Sequence, residues 1–407
     1  MKKIELLAPA GNFSKLKTAI YFGADAVYAG GKNFSLRAFS DNFSDEELIK
    51  AVNYVHERGK KIYVTVNIFA KNADFLKAGE YFKFLEKIGT DAAIVSDVGL
   101  IALAKEVAPS LTLHLSTQAN ILNSYAAKEY LKLGVKRLIL ARELPVCDVK
   151  EIYNDTSGAE LEVFVHGAMC ISYSGRCLLS NYFSGRDANR GECVQACRWH
   201  YAVREVGKDG EFYPIEEDER GAYILNSKDL NLINYIGNLS DAGVCSFKIE
   251  GRMKGEYYLA TVVNAYRRAI DEYYKIGENY HENPMFLSEL KKTFHRDFTT
   301  AYFLGDNENT VNYDGSQSNG DSIFIANVLG YDDDKKAALI EMRNRFKVGD
   351  ALEILSPDEN FNKVIRVTKI ENESGEEISD AKLVQQKLWL YTDYKLNRGD
   401  LLRRDLT

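Results

Sequence analysis

A glycine followed within a few residues by an apolar run recurs along roughly the first 250 residues: GADAVYAG from Gly23, GKKIYVTVN from Gly59, GTDAAIVSD from Gly89, GVKRLILAR from Gly134 and GVCSFKIEGR from Gly243. Helical periodicity precedes each glycine. A glycine can take the left-handed conformation that ends a helix, and the run after it then reads as a buried strand. The stretch before Gly59 shows the logic. Ser44 is placed to cap a helix with Glu47 three residues on, Leu48, Val52 and Val55 share a face, and KIYVTVN follows the stop. With IELLAP at the start, LTLHLST before Gln118 and LEVFVHGA before Met169, eight strands follow in order. Strands alternating with helices imply a parallel sheet with right-handed crossovers. Eight units imply a (β/α)8, TIM-like barrel, with a doubly wound open sheet as its rival.

After the eighth strand, GEYYLATVVNAYRRAIDEYYK is a helix with Tyr258, Val262, Tyr266 and Ile270 in register. From about residue 320 the pattern changes to short alternating strands, among them SIFIANVLGY, ALEIL and KLWLYTDY. The expected organisation is a barrel domain over residues 1–310, with a cysteine-rich insertion at 167–245, and a small all-β barrel domain over 320–407. A chain of 407 residues has room for one large domain and one small one.

The insertion holds four of the six cysteines. Cys170, Cys177, Cys193 and Cys197 stand in the spacing C-x6-C-x15-C-x3-C, with Arg176, Arg186, Arg190 and Arg198 among them. Disulfides do not suit a reducing compartment. Structural zinc usually shows knuckles of C-x2-C to C-x4-C, which only Cys193 and Cys197 satisfy. Four unrelated buried thiols would not cluster while Cys147 and Cys245 stand apart. A four-thiolate iron–sulfur cluster tolerates more variable spacing, and nearby cations offset its negative charge. Spacing alone favours iron–sulfur and leaves zinc open.

Barrel enzymes place their chemistry at the C-terminal ends of the strands. The polar residues there are Arg37, Asn67, Asp97, Ser116, Thr117, Gln118, Asn120, Arg142, Glu143, His166, Glu250 and Arg252. Singly, each suits a helix cap, a loop hydrogen bond or a salt bridge. As a ring they make a site. The catalytic candidates are His166, Arg142, Glu143, Glu250 and Arg252, and the substrate-binding candidates are Asn67, Gln118, Arg186 and Arg190.

Several classes of function lack support. No G-x-S-x-G occurs, and HERGK at His56 lacks the second histidine of H-E-x-x-H. A thiol protease would need Cys170 activated by His166, the one tempting pair. AVYAGGKN lacks the phosphate-loop spacing. A net charge of −7 means that any RNA site must be a local patch. The N-terminal MKKIELLAP is too short and too interrupted by Glu5 for a signal peptide, and no run approaches a membrane span, so the expected location is the cytoplasm, with no membrane contact. A scaffold or RNA-binding module with a structural metal is the non-enzymatic alternative.

The stretch EVFVHGAMCISYSGRCLLSNYFSGRDANRGECVQACRWHY resembles the signature of the peptidase U32 family, long labelled collagenase-like, through Glu162, Phe164, Gly167, Ala168, Cys170, Gly175, Cys177 and Ser180. ELLAPAGNFSKLKTAIYFGADAVYAGG, LSTQANILN, LNSKDL and FKIEGRMKGEYYLATVVNAYR are similar to that family too, so the likeness spans nearly the whole chain. The resemblance implies an iron–sulfur enzyme of oxygen-independent hydroxylation, with a 4Fe-4S cluster on Cys170, Cys177, Cys193 and Cys197. The branch of this length with a small C-terminal β domain implies tRNA as substrate, 5-hydroxyuridine at the wobble position as product, and prephenate as co-substrate. It also allows a second U32-family subunit as partner. The family label keeps a U32-type peptidase as the alternative.

Overall fold

The computed structural model describes residues 3–32, 34–35, 42–170, 172–173, 176–190, 192–198, 217–218, 221–222, 227–277, 280–305 and 320–406. Arg37, the side chain of Arg198 and the expected boundary at residue 310 lie outside them.

The eight expected strands form: β1 (Glu5–Ala10), β2 (Ala26–Gly30), β3 (Lys61–Val66), β4 (Ala92–Val95), β5 (Leu113–Leu115), β6 (Arg137–Ile139), β7 (Glu160–Ala168) and β8 (Val244–Ile249). Each lies parallel to the next, and β8 pairs with both β7 and β1. The sheet therefore closes into a barrel, and the open doubly wound alternative falls. Helices cover its outside. In the helix Asp45–His56 the Ser44 capping box is made in both directions, Leu48, Ala51, Val52 and Val55 are buried, and Gly59 beyond it is left-handed at φ 64°.

The connection from β7 to β8 leaves the barrel. Its segment Asp229–Asn231 pairs antiparallel with the end of β7. After β8, the 21-residue helix Glu256–Ile276 buries Tyr258, Val262, Tyr266 and Ile270, as the periodicity requires. No helix among the described residues is long and apolar enough to cross a membrane.

Four of the barrel strands carry a charged residue into the interior, where TIM-like barrels usually stack branched aliphatics. Arg137 bonds Glu5 at 2.5 Å and Glu162 at 3.2 Å, and Lys248 bonds Glu162 at 2.9 Å. The Tyr63 and Ser246 hydroxyls complete Glu5 at 2.7 and 3.0 Å. Every oxygen of both buried carboxylates is thus satisfied. Burial alone would raise the Glu162 carboxyl, but Lys248 and Arg137 outweigh it and hold the group ionised, below its usual value.

The C-terminal unit is an eight-stranded antiparallel sheet curled into a half-barrel over its own apolar core. Its strand Leu401–Asp405 lies between Ser322–Asp332 and Ala351–Leu355. From that strand Arg403, fully buried, reaches Glu289 at 2.7 Å beside the barrel and shares Glu353 of its own sheet. The ring of Tyr257 stacks on Phe324 at 5.5 Å, and Tyr21 donates to Asp400 at 2.8 Å. The half-barrel therefore packs on the barrel's flank, against its outer helices.

Candidate active site

One cavity opens at the C-terminal ends of the strands. Tyr28, Thr65, Ile94, Ile139, Phe164 and Lys248 line it from the strands. Asn67, Gln118, Arg142, Glu250 and Arg252 join from the loops just beyond, together with all four clustered cysteines. Five of the nine barrel and loop candidates thus meet in one place.

Each is positioned by identifiable local structure. Arg252 donates through Nη1 to the Ser35 and Thr65 hydroxyls at 2.7 and 3.2 Å. A Cβ at Gly30 would collide with that guanidinium, so the closeness of β2 to Arg252 requires glycine there. Gly167, at φ 108°, turns the chain against the Glu250 carbonyl. Arg142 lies flat over the Phe164 ring at 3.8 Å and donates to the Ala168 carbonyl at 2.6 Å. Gln118 sits in a short 3-10 turn capped by Ser116, and Asn120 closes that turn in the left-handed region at φ 54°. Asp97 has the plain role of a helix cap, its carboxylate accepting from Leu100 N–H at 2.9 Å.

Two of the cavity's buried donors lack acceptors: Gln118 Nε2 and Arg142 Nε meet no hydrogen-bond partner among the described residues. Lys248, 3% exposed, presents an ammonium of which one bond, to Glu162, is made inside the barrel. Unmade hydrogen bonds in buried donors cost about 1–3 kcal/mol each, and a ligand with acceptor oxygens recovers that energy.

The four thiols form one wall of this cavity. None of the chain's cysteines is in a disulfide. Cys177 and Cys193 stand close enough to Cys170 to disfavour its ionisation. Burial is the larger cause of the raised Cys170 thiol, opposed by the Ser172 N–H and Arg142. The Gln195 N–H points at Cys193 Sγ at 3.4 Å. Among the described residues no three His, Cys, Asp or Glu side chains are arranged to hold one metal ion. Zinc would draw all its sulfurs to about 2.3 Å of a single centre. A cluster would spread its ligands over several irons, and four soft thiols lining one cavity, with a backbone N–H aimed at one sulfur, are a donor set that fits such a group.

Four candidates stand elsewhere. His166 leaves the cavity because the register of β7 against β8 slips by one residue between Phe164 and His166, so strict alternation fails there. Its ring packs outside the barrel against Tyr258, Tyr266 and Phe298, and burial lowers its pKa to about 3. It is a neutral packing histidine, with no thiol beside it. Glu143 does not line the cavity, and burial raises its carboxyl. Arg190 is held by Asp74 at 2.9 Å and by the Phe69 carbonyl at 2.9 Å, which ties the cysteine segment to the loop after β3. Arg186 is exposed and does not line the cavity. Lys248 was missed among the strand ends. Its signal was a lysine inside the apolar run of β8.

The sequence profile of peptidase family U32 matches residues 11–313, and that of the peptidase family U32 C-terminal domain matches residues 321–403. A Bacillus subtilis protein named tRNA hydroxylation protein P1 is 39% identical over 99% of this chain and 95% of its own length. The Escherichia coli protein named tRNA hydroxylation protein P is 37% identical over 99% of this chain and 97% of its own. A Porphyromonas gingivalis protein named collagenase is 34% identical over 87% of this chain and 86% of its own.

Proposed function

The chain belongs to peptidase family U32, and on that premise we propose that it is a tRNA hydroxylase that converts the wobble uridine to 5-hydroxyuridine without molecular oxygen. The observation that carries this reading is the meeting, in one barrel-mouth cavity, of four thiols in no disulfide with two buried donors that lack acceptors among the described residues. The full-length likeness to two proteins named for tRNA hydroxylation gives the substrate class.

Cys170, Cys177, Cys193 and Cys197 are the residues that would hold a 4Fe-4S cluster, which when bound supplies redox chemistry beside the base. The chain's own residues then bind and orient. A uridine presents O2 and O4 as acceptors and N3–H as a donor. Gln118 Nε2 and Arg142 donate to the oxygens, Glu250 accepts from N3–H, and the Phe164 and Tyr28 rings form apolar walls. Replacing C5–H by C5–OH inserts one oxygen atom and oxidises the base by two electrons. The oxygen atom comes from a co-substrate or from water, and a co-substrate takes up the two electrons and two protons that the base gives up. Prephenate takes this place by family resemblance, and Lys248, Arg252 and Asn67 offer its carboxylates cationic and amide donors. The reaction belongs in the cytoplasm, where tRNA is modified and thiols stay reduced.

Among the described residues no histidine lines the cavity, and His166 packs against Tyr258, Tyr266 and Phe298, so the pairing of Cys170 with His166 that a peptidase reading calls for does not form. The test is iron and acid-labile sulfide on protein purified without air, followed by nucleoside analysis of tRNA from a deletion strain. We expect about four of each per chain. In Cys193→Ser we expect loss of both, together with loss of 5-hydroxyuridine. One zinc without sulfide, with tRNA unchanged by the deletion, would overturn the proposal.

A further inference from the structure

The cysteine segment repeats a four-residue unit ten positions apart: Tyr173-Ser174-Gly175-Arg176 and Phe183-Ser184-Gly185-Arg186. In the first, the Arg176 N–H donates to the Tyr173 carbonyl at 2.9 Å. In the second, the helix Leu179–Ser184 stops at Gly185, left-handed at φ 69°, and the chain reverses just before Arg186. Both units present an aromatic ring and a guanidinium to solvent. Tyr173 is 52% exposed, Phe183 is 45% exposed, and Tyr182 beside it is 82% exposed. Arg176 and Arg186 are exposed as well.

A further aromatic–cation pair stands in the helix Ser124–Lys132. Tyr125, 80% exposed, carries the Lys128 ammonium 5.5 Å over its ring, three residues beyond Leu122. Leu122 and Asn120 share an open groove with Tyr173 and Arg176, and this groove adjoins the cavity through Cys177, the residue after Arg176. A chain with net charge −7 thus places exposed rings and cations close together in sequence in the segment whose cysteines line its active-site cavity. Exposed rings are unfavourable in water unless something covers them. Rings interleaved with cations match single-stranded nucleic acid, whose bases stack and whose phosphates pair.

We propose that this segment is the track for the unpaired nucleotides flanking the target uridine, with bases stacked on Tyr173 and on Tyr182 or Phe183, and phosphates met by Arg176 and Arg186. The inference rests on the RNA-hydroxylase reading and adds the RNA element recognised, an extended loop rather than a duplex, and the residues that grip it.

The test is binding of an anticodon stem-loop RNA to the full chain purified without air, measured by fluorescence anisotropy at several salt concentrations, with light scattering on the same samples. Phe183→Ala and Tyr173→Ala should each weaken binding by about tenfold at every salt concentration. Arg186→Ala should reduce the slope of log K against log salt by about 0.7, the value for one single-strand phosphate. Iron and sulfide equal to wild type show that a variant has kept its fold. Variants that bind as wild type does would overturn the inference and leave the hydroxylase reading standing. A wild-type chain that binds no RNA loop would overturn both. A wild-type oligomer that Phe183→Ala dissociates would make the segment an interface with a second copy or a second family subunit, and would overturn the track.

Discussion

Buried charge occurs at two levels of this barrel, and the levels differ in where the partners come from. In the interior, Glu5, Arg137, Glu162 and Lys248 satisfy one another, with Tyr63 and Ser246 filling the remaining sites. At the strand ends, Gln118 and Arg142 keep buried N–H groups that nothing among the described residues accepts. A closed network fixes structure, whereas an open set of donors costs stability until a ligand arrives. Lys248 belongs to both levels, since it completes Glu162 below and lines the cavity above. The difference separates what holds the barrel from what the barrel holds.

Substitutions at the two levels should therefore fail in different ways. The largest effect belongs to the closed level. Glu162→Ala leaves Lys248 and Arg137 without their shared carboxylate, and should cost about 3–5 kcal/mol of unfolding free energy in a denaturant titration. A cost under about 1 kcal/mol would show that water already screens the column. At the open level, Arg142→Ala should lower tRNA hydroxylation about 100-fold, as loss of one preorganised donor does. Its unfolding midpoint should stay near wild type, because Arg142 spends one bond on the Ala168 carbonyl and otherwise stacks on Phe164. An Arg142→Ala chain that unfolds while keeping its activity when folded would erase the distinction.

The barrel was legible because each unit repeats its own instructions, as the capped helix ending at Gly59 shows. The cysteine wall was legible as a cluster in sequence, and the structure adds that the wall faces Asn67, Gln118, Arg142, Glu250 and Arg252. What stayed hidden depended on partners far away in the chain. Arg403 sits in the LLRRD strand, which does not read as buried until Glu289 is known to lie 2.7 Å away. Lys248 reads as an interruption of an apolar strand until Glu162 is placed beside it. His166 was misplaced for a third reason. Counting alternate residues assumes an unbroken register, and a one-residue slip between neighbouring strands leaves no mark in either strand's sequence. Arg190 looked like a phosphate contact because its partner Asp74 belongs to another loop.

The smallest effect sharpens the contrast through pH. His114, inside the barrel near Tyr63 and Arg137, and His166, outside it among aromatic rings, are both lowered to about 3, in each case chiefly by burial. An unfolded histidine titrates near 6.5. Between these values the unfolded chain binds a proton that the folded chain refuses, so each histidine contributes stability that is complete above pH 6.5 and erodes as pH falls toward 3. The erosion is about 1.4 kcal/mol per pH unit for each ring. Removing one ring should remove one proton from that slope. His166→Phe, measured by denaturant unfolding between about pH 6 and pH 4.5, should therefore lose stability with acid more gently than wild type by about 1.4 kcal/mol per unit. Below that range Glu162 and Asp229, both held low by their cationic partners against burial, add their own protons and blur the count. Hydroxylation at neutral pH should survive in this variant, because the ring lies outside the cavity. Loss of activity with the slope unchanged would return His166 to the site, and would mean that the slip in β7 reverses when RNA binds.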